Sequence, residues 1–553
     1  MTNQMQVRAQ NQVQVQVQLQ EQEQEQVHLA ANPIEMPTAI VTPGSMPLSL
    51  CDFAAVAHHQ STITVDEAIW PRVDAARALL HRCIAENRLV YGVTTGFGPL
   101  ADRMTPASRI EELQRNLIYH LASGVGAPLP YAEARGLMLA RLQSILAGAS
   151  GASRVLIESM VACLNAGLAA IIPQKGTVGA SGDLTPSAHM ALALMGEGAF
   201  FDRQGAIMPA AEALALIGVT PYTLKGRDGL ALVNGTSAMT AIAALNANTM
   251  AHLTDWALRT SAAHAEVMHG LAEAWHPALS ALRPHIGQKL AQERLVVLTA
   301  DSERMRRERV ASRFLSGDMA GPLKTSSPQD PYTIRCVPQV LGAVIDVAMQ
   351  HDSIVQCELN AVTDNPVFTE DEPFAIHGGN FFGQHVAFAA DHLANAASMI
   401  AVLSERQIAR ITDEKLSGLP AFLQPFETGL QSGLMGAQVT ASALVAEIRT
   451  RSTPASMQSI PTNANNQDVV SMGTIAARRC RDILDDASRV LAIQMMALAQ
   501  AIDIIGEDSG FSGAARALHQ WVRIQSPMIV MDRPLGAEIE AIASLLRQER
   551  LPI

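Results

Sequence analysis

The chain has 553 residues, enough for one large core or for two to three domains. Hydrophobic residues make up 48% of it and aromatic residues only 4%, so most apolar side chains are aliphatic, a composition that favours long, closely packed helices over sheets. The formal net charge of −12 argues against nucleic acid or an anionic membrane surface as the main partner.

The six cysteines are scattered, with no CxxC pair and no spacing typical of a metal site. This pattern indicates reduced thiols packed in a core. No uninterrupted apolar run is long enough to cross a bilayer, and the best candidate, residues 491–505, contains Gln494, Gln500 and Asp503. Because the N-terminus also lacks the basic-then-apolar order of a secretory signal, we expect a cytoplasmic protein that binds no membrane.

The chain divides into three parts. Residues 1–47 alternate Gln with Val or Glu and then become Pro-rich, so we expect a disordered tail. Residues 48–236 mix short helices with Gly and Pro breaks, whereas residues 237–553 carry long Ala-rich stretches. Such long helices suggest an extended bundle whose apolar faces are covered by further copies of the chain. The predicted long helices are Ser237–Gly270, Val337–Asn360, Asn380–Glu414 and Ser471–Ile505.

The segment Gly176–Pro186, which reads GTVGASGDLTP, has the most chemical content. If the Gly182 nitrogen attacks the Ala180 carbonyl carbon, a five-membered ring closes. Loss of two waters, one of them involving the Ser181 hydroxyl, then gives a methylidene-imidazolone. Glycine suits position 182 because no Cβ blocks the nitrogen, and Gly179 permits strained backbone geometry. The alternative is a small-residue turn that caps the following helix.

Two loop tyrosines offer hydroxyl groups. Tyr91 precedes three glycines within residues 92–98, and such flanks allow a loop to close over a ligand. Tyr332 precedes Arg335 by one helical turn, which would add a bidentate clamp for a carboxylate. Taken alone, the Tyr91 stretch is more typical of an ordinary turn with a packed tyrosine, and the Tyr332 stretch could equally be a helix N-terminus with a surface Arg. The amide-rich tracts 233–236 and 462–468 could bind substrate, although helix capping is their usual role.

Taken together, these stretches resemble the aromatic amino acid ammonia-lyases, a family that includes histidine, phenylalanine and tyrosine ammonia-lyases and related aminomutases. The resemblance runs from about Val65 to near the C-terminus. Ser187 stands where Leu is usual, the one departure within residues 176–191. The resemblance implies a mainly α fold, with a long central helical bundle and a mixed N-terminal catalytic domain that carries the prosthetic group. It also implies a homotetramer with active sites shared between subunits.

The resemblance further implies roles for matching positions. Ala180, Ser181 and Gly182 would form 4-methylidene-imidazol-5-one autocatalytically, with no external cofactor or metal. Tyr91 would remove a β-proton of the substrate, and Tyr332 would lie beside the amine and the prosthetic group. A tyrosine is a feeble base at neutral pH unless the site stabilises its anion, and helix N-termini could do so.

The substrate would be held by a second set of residues. Arg335 would bind its carboxylate with help from Asn365, and Asn234 would support the prosthetic group. The stretch Gly378–Phe381 also matches a family pocket segment. The other positions expected to contact substrate are Gly98, His120, Leu121, Leu184, Asn466 and Gln467.

The pair His120-Leu121 indicates the substrate. Family members that prefer phenylalanine resemble Phe-Leu at this pair, histidine-using members carry Ser-His, and His-Leu is the pattern of tyrosine-using members. His120 can hydrogen-bond a phenolic hydroxyl while Leu121 forms an apolar wall, and such discrimination can reach about 10⁴. We therefore predict conversion of L-tyrosine to p-coumarate and ammonia, with some activity on L-phenylalanine.

Three alternatives stay open. An aminomutase would return ammonia to the β-carbon and yield β-tyrosine. A histidine ammonia-lyase would yield urocanate, but Leu121 disfavours it, as does Gln467, where histidine-using members usually have Glu. A non-catalytic helical scaffold would lack the electrophile and keep the mass of two waters.

Overall fold

The computed structural model describes residues 40–306 and 329–548. The predicted tail, residues 1–47, lies mostly outside these ranges. Within it, Ile40–Val41 pair in parallel with Thr62–Ile63, so the tail prediction does not hold for these two residues. They find hydrogen-bond partners in a strand that lies some twenty residues further along the chain, which the local sequence does not reveal.

The first part of the chain contains short helices and short strands, as predicted. Its helices, α1 to α8, are Leu50–Ala57, Trp70–Ala85, Ile110–Leu121, Tyr131–Leu146, Arg154–Asn165, Leu184–Leu194, Ala210–Leu216 and Asp228–Val233. The strands β1 to β7 are Ile40–Val41, Thr62–Ile63, Val125–Pro128, Ala169–Ala170, Pro173–Lys175, Ala199–Phe201 and Ile207–Pro209. Two more strands, β8 and β9, lie later in the chain, at Val367–Phe368 and Ala375–Ile376. Within the described residues the strands form four small sheets, ordered β1-β2, β3-β5, β4-β6-β7 and β8-β9. The last three are antiparallel.

The second part is a bundle of long helices. Helices α9 to α19 are Ser237–Val267, Pro277–Leu282, Ile286–Leu298, Tyr332–Arg335, Val337–Leu359, Gln384–Thr412, Glu414–Ser417, Met435–Thr450, Gly473–Ile505, Gly513–Gln525 and Gly536–Leu546. The mainly α fold is thus confirmed, as are all four predicted long helices: α9, α13, α14 and α17. Helix α17 packs against both α14 and α9, and α13 packs against α14.

The ends of the long helices differ from prediction by a few residues. Helix α17 begins at Gly473 rather than Ser471 because Met472 has a left-handed φ of 57°. Helix α9 ends at Val267, and beyond it the Gly270 N–H bonds to the Ala265 carbonyl. Backbone geometry at single residues therefore sets these boundaries.

Among the described residues, two helices are long and apolar enough on average to span a membrane, although polar residues interrupt their apolar runs. They are α14 and α17, and 67% and 78% of their apolar windows are buried inside the protein. The polar residues of α17 that interrupt its apolar run face the interior. Gln500, for example, exchanges hydrogen bonds with the backbone of Ile529. Both are core helices of the bundle.

Buried apolar side chains form two large clusters that meet on α9. Ala238–Ala244 belong to the cluster of the N-terminal part, together with the ends of α13, α14 and α17. Met250 and the following residues of α9 belong to the cluster of the bundle. Helix α9 thus fixes the N-terminal part rigidly to the bundle, and its first turn lies where the two meet.

Candidate active site

The tripeptide Ala180-Ser181-Gly182 lies in the turn between β5 and α6 and is held against Gly235, just before α9. Gly235 N–H donates to the Ser181 carbonyl at 3.4 Å, and Asp183 N–H donates to the Gly235 carbonyl at 2.7 Å. Gly182 has φ +71°, and a Cβ there would lie 2.0 Å from the Gly235 oxygen. Only glycine fits this position.

The local geometry suits the predicted cyclisation. Within the described ranges no hydrogen-bond acceptor is found for the Gly182 N–H, so ring closure would break no hydrogen bond of the nitrogen. Gly179 has φ +72°, as expected of a glycine that permits a strained approach. Thr177 accepts a hydrogen bond from Gly179 N and donates one to the Gly182 carbonyl, which holds the two ends of the turn. The residues present therefore fit a methylidene-imidazolone.

Asp183 ties this turn to the first turns of two long helices. Its carboxylate accepts a hydrogen bond from Met239 N at 2.7 Å in α9 and another from the Thr474 hydroxyl in α17. Burial raises the pKa of Asp183 to about 6. The N-termini of α6, α9 and α17 therefore all lie beside the tripeptide, and their dipoles favour negative charge there.

Tyr91 and Gly98 form one contact on a loop that packs against the amide-rich tract 462–468. Gly98 N–H donates to the Tyr91 hydroxyl oxygen at 2.7 Å. Gly98 packs on Asn463, since a Cβ at Gly98 would lie 2.5 Å from the Asn463 amide nitrogen. From the same amide-rich loop, Gln467 Nε2 donates to Ser181 Oγ at 3.4 Å. Burial raises the pKa of Tyr91, and the Gly98 hydrogen bond opposes that rise.

Asn365 joins the site through a buried network. Asn234 Nδ2 donates to the Asn365 carbonyl at 2.8 Å, and Gly378 N donates to its side-chain oxygen at 2.7 Å. Beneath them the Arg227 guanidinium binds both oxygens of Asp364 at 2.6 and 2.8 Å. With both partners fully buried, Arg227 holds the pKa of Asp364 below its usual range although burial alone would raise it.

A cavity of about 340 Å³ opens beside the tripeptide. Its wall brings together residues from three of the predicted segments: Ser181, Phe381, Phe382, Asn466, Gln467 and Asp468. Leu184, the first residue of α6, is half-buried next to the tripeptide. Ser187, the departure from the family pattern, is buried one turn further, and its hydroxyl has no hydrogen-bond partner in the described part of the chain.

His120 and Leu121 end α3, next to the first half of α6. Gly124, on the loop after α3, donates its N–H to His189 Nε2 at 3.1 Å and lies against Thr185. His120 is exposed in the single chain, and its Nδ1 lies 3.0 Å from the Asn116 carbonyl. Because a carbonyl only accepts, Nδ1 carries the proton and Nε2 is left as an acceptor.

Tyr332 and Arg335 do not meet the other residues within one chain. They form α12, which packs at the far end of α9, where Ile334 lies against Gly270 and Trp275. Helix α9 has 31 residues, so at 1.5 Å per residue it separates α12 from the tripeptide by about 46 Å. Tyr332 is 70% exposed, and the Arg335 guanidinium lies 4.7 Å from the centre of its ring.

Comparison with known proteins places this geometry in a family. The family model described as aromatic amino acid lyase matches residues 48–524. A tyrosine ammonia-lyase from Cereibacter sphaeroides is 51% identical over 90% of this chain and 95% of its own, and a histidine ammonia-lyase from Symbiobacterium thermophilum is 41% identical over 91% and 96%. The crystal structure of a tyrosine aminomutase from Streptomyces globisporus superimposes with a TM-score of 0.86 at 35% identity, covering 93% and 97%.

The chain belongs to the aromatic amino acid lyase family. It is an enzyme of the ammonia-lyase family, the carbon–nitrogen lyases whose substrates are aromatic amino acids. The family is therefore confirmed, as is the enzyme class. The relatives differ in substrate and in outcome, so they do not by themselves choose between tyrosine and histidine or between lyase and mutase.

Sequence reasoning missed several residues that hold the site of this lyase together. Buried Gln114 donates from Nε2 to the Gly92 carbonyl at 2.8 Å and accepts from Leu230 N at 2.8 Å, which fixes the loop of Tyr91. His377 Nε2 accepts the Tyr91 N–H at 3.1 Å. Their partners lie 22, 116 and 286 positions away, so no local pattern could reveal them. The charged residues Arg227 and Asp364 were missed as well, because they stand among other polar residues, such as Asp228 and Asn365, and have no distinctive local pattern.

Proposed function

We propose that this lyase is a tyrosine ammonia-lyase, which converts L-tyrosine to p-coumarate and ammonia and turns over L-phenylalanine more slowly. The observation that carries the proposal is the His120-Leu121 pair. The Nδ1–H of His120 is engaged by the Asn116 carbonyl, so Nε2 can accept a hydrogen bond from a phenolic hydroxyl. Leu121 supplies an apolar wall, and the 51% identity to a tyrosine ammonia-lyase supports the same substrate.

Within this proposal Tyr91 acts as the base that removes the β-proton. The Gly98 N–H bonds the Tyr91 oxygen and would stabilise its phenolate, as would the N-termini of the helices beside the tripeptide. A methylidene-imidazolone formed from Ala180, Ser181 and Gly182 supplies an electrophile that makes the amine a better leaving group. Gln467 and Asn466 line the cavity into which that group would project.

Arg335 binds the substrate carboxylate in this proposal, and a second copy of the chain must supply it. Helix α9 holds Tyr332 and Arg335 about 46 Å from the tripeptide of their own chain. Tyr332 is exposed at the surface, where it can enter the cavity of a neighbour. We therefore propose a homotetramer with shared active sites, with Asn365 beside the carboxylate.

A complementation experiment tests the sharing. Chains carrying Tyr91→Phe and chains carrying Arg335→Met are each expected to be inactive as pure assemblies. Co-expressed, they should regain part of the wild-type rate, because some sites combine an intact Tyr91 with an intact Arg335. Mixed assemblies that stay inactive, although they form, would contradict shared sites.

A product analysis tests the substrate and the reaction. Purified protein is incubated separately with L-tyrosine, L-phenylalanine and L-histidine, and the products are identified by chromatography and mass spectrometry. We expect p-coumarate as the main product and cinnamate as a minor one. Urocanate as the main product would refute the tyrosine assignment, and an intact mass that retains both waters would refute the prosthetic group.

The second candidate is a tyrosine aminomutase, which the similarity to the Streptomyces globisporus structure favours. It would use the same residues but hold ammonia long enough to return it to the β-carbon. β-Tyrosine among the products identifies it. A histidine ammonia-lyase is supported by 41% identity, but Leu121 and Gln467 disfavour an imidazole substrate.

The location and the domain boundaries stay predictions. Cys83, Cys163 and Cys480 are buried as free thiols, which supports the proposed cytoplasmic location. The predicted domain boundaries lie at residues 47 and 236. The second would divide α9 from the N-terminal part, although the first turns of α9 belong to the apolar core of that part.

A further inference from the structure

The short helix α12 is anchored by two buried side chains that bind its backbone. Gln407, on α14, donates from Nε2 to the Thr333 carbonyl at 2.8 Å. Trp275 donates from Nε1 to the Ile334 carbonyl at 3.1 Å. Gln407 is 0% exposed and Trp275 is 1% exposed. Both hydrogen bonds reach the residues that lie between Tyr332 and Arg335.

Helix α12 needs such anchors because it has only four residues. One helical turn is unstable by itself, and its carbonyl groups have few partners within the helix. The Arg335 side chain contributes no anchor of its own: its Nε is buried without a hydrogen-bond partner among the described residues. Its guanidinium stacks instead on the exposed ring of Tyr332. The direction of Arg335 is therefore set through the backbone.

The Gln407 amide is itself held in one orientation by two long helices. Gln494, on α17, donates to Gln407 Oε1, and Gln407 Nε2 also donates to Ser261 Oγ, on α9, at 3.2 Å. With the oxygen occupied by Gln494, the nitrogen must face the Thr333 carbonyl. Gln407 thus fixes the position of α12 relative to α9 and α17.

We infer that Gln407 is a positioning residue that, through the Thr333 carbonyl, aligns Arg335 with the carboxylate of the substrate. The inference rests on the proposed carboxylate-binding role of Arg335 and adds to it the element that sets its direction. Loss of the Gln407 amide should weaken binding of the carboxylate specifically, because the aromatic ring of the substrate would be held elsewhere, beside His120. Misplacement by about 1 Å at such a contact can cost up to about a hundredfold.

The test compares two ligands that differ only in the carboxylate. Inhibition constants are measured in the tetramer for p-coumarate and for 4-vinylphenol, which keeps the phenol and the vinyl group. Gln407→Met, which keeps most of the side-chain volume but has no amide, should weaken p-coumarate binding about tenfold or more. It should raise the KM for L-tyrosine similarly and leave 4-vinylphenol binding unchanged. Equal weakening of both ligands, or of neither, overturns the inference.

Gln500→Met is the matched control. Gln500 is also a fully buried glutamine of the bundle that donates to backbone carbonyls, those of Leu423 and Ile529, but none of its hydrogen bonds within the described residues reaches α12. The Gln500→Met variant should leave the ratio of the inhibition constants for p-coumarate and 4-vinylphenol at the wild-type value. If Gln500→Met shifts the ratio as much as Gln407→Met does, the effect is general destabilisation and the inference fails.

Two further variants separate the inference from the proposed function. Arg335→Met should abolish the preference for p-coumarate; if it does not, the carboxylate role of Arg335 is wrong. If Arg335→Met abolishes the preference for p-coumarate over 4-vinylphenol and Gln407→Met leaves that preference unchanged, only the inference fails. Should Gln407→Met not assemble, Trp275→Phe removes the second anchor alone and must shift the ratio in the same direction, and an unchanged ratio overturns the inference.

Discussion

Replacing His120 by Phe tests the tyrosine assignment at the residue on which it depends. His120 lies at the end of α3 with an exposed side chain. Its hydrogen bond is local, from Nδ1 to the Asn116 carbonyl at 3.0 Å. The substitution therefore removes the Nε2 acceptor without opening a cavity in the core, and the variant should fold and assemble like the wild type.

The expected size of the effect follows from one lost hydrogen bond. A phenolic hydroxyl buried in the His120→Phe site would have no acceptor, and leaving such a group unsatisfied costs about 1–3 kcal/mol. At about 1.4 kcal/mol per factor of ten, kcat/KM for L-tyrosine should fall about 5- to 150-fold. L-phenylalanine loses no hydrogen bond and gains apolar contact with the new ring, so its kcat/KM should rise and the preference should invert.

The assay is the ratio of kcat/KM for the two substrates in wild type and variants. His120→Gln keeps an acceptor and should retain part of the tyrosine preference. Tyr119→Phe is the neighbouring control, because the Tyr119 hydroxyl binds Glu197 at 2.8 Å, and it should leave the ratio unchanged. An unchanged ratio in His120→Phe would refute the role of His120 in selecting tyrosine.

Three other substitutions test separate parts of the reasoning. Ser181→Ala should keep the mass of two waters, measured on the intact chain, and lose turnover. Tyr91→Phe should lose about 10²- to 10⁴-fold in kcat/KM. Because burial raises the pKa of Tyr91 above its ordinary value, wild-type kcat/KM should rise with pH through the neutral range. The residual kcat/KM of the variant should not. Burial beside Arg410 lowers the pKa of His264 to about 3. Below pH about 6.5, His264 therefore binds a proton more readily in the unfolded chain than in the folded one. The free energy of unfolding should fall on acidification by up to about 1.4 kcal/mol per pH unit. Denaturation of His264→Leu at the same pH values should lack this component.

The sequence predicts the long helices well because their Ala-rich stretches have strong local preference. It predicts their ends less well, since single backbone angles decide them, such as the left-handed φ of Met472 before α17. It also underestimates how much polar side chain a core helix carries. Gln494 and Gln500 interrupt an apolar run in sequence, yet both are buried and hydrogen-bonded in the bundle.

The site shows the same division between local and long-range information. The tripeptide, Tyr91 and Gln467 could be predicted because each lies in a recognisable local pattern. The structure joins Gln467 to Ser181 and packs Gly98, on the loop of Tyr91, against Asn463 of the same amide-rich tract. The pair Arg227–Asp364 could not, because the two residues are 137 positions apart and only the fold makes them partners. Residues that perform chemistry thus carry local signals, whereas residues that hold them in place carry almost none.

Under the proposed role of Arg335, the length of α9 makes catalysis depend on assembly. Its first turn is fixed to the tripeptide through Asp183 and Met239, and its far end is fixed to α12 through Gly270. A buried helix of 31 residues does not shorten or bend back, so no loop closure within one chain can bring Arg335 to Ser181. If Arg335 binds the carboxylate, only another copy can complete the cavity, and the concentration of complete sites follows that of assembled chains. In that proposal, the same helix that keeps Arg335 away from the tripeptide of its own chain would also help fix, through Ser261 and Gln407, the direction in which Arg335 is offered to a neighbouring copy.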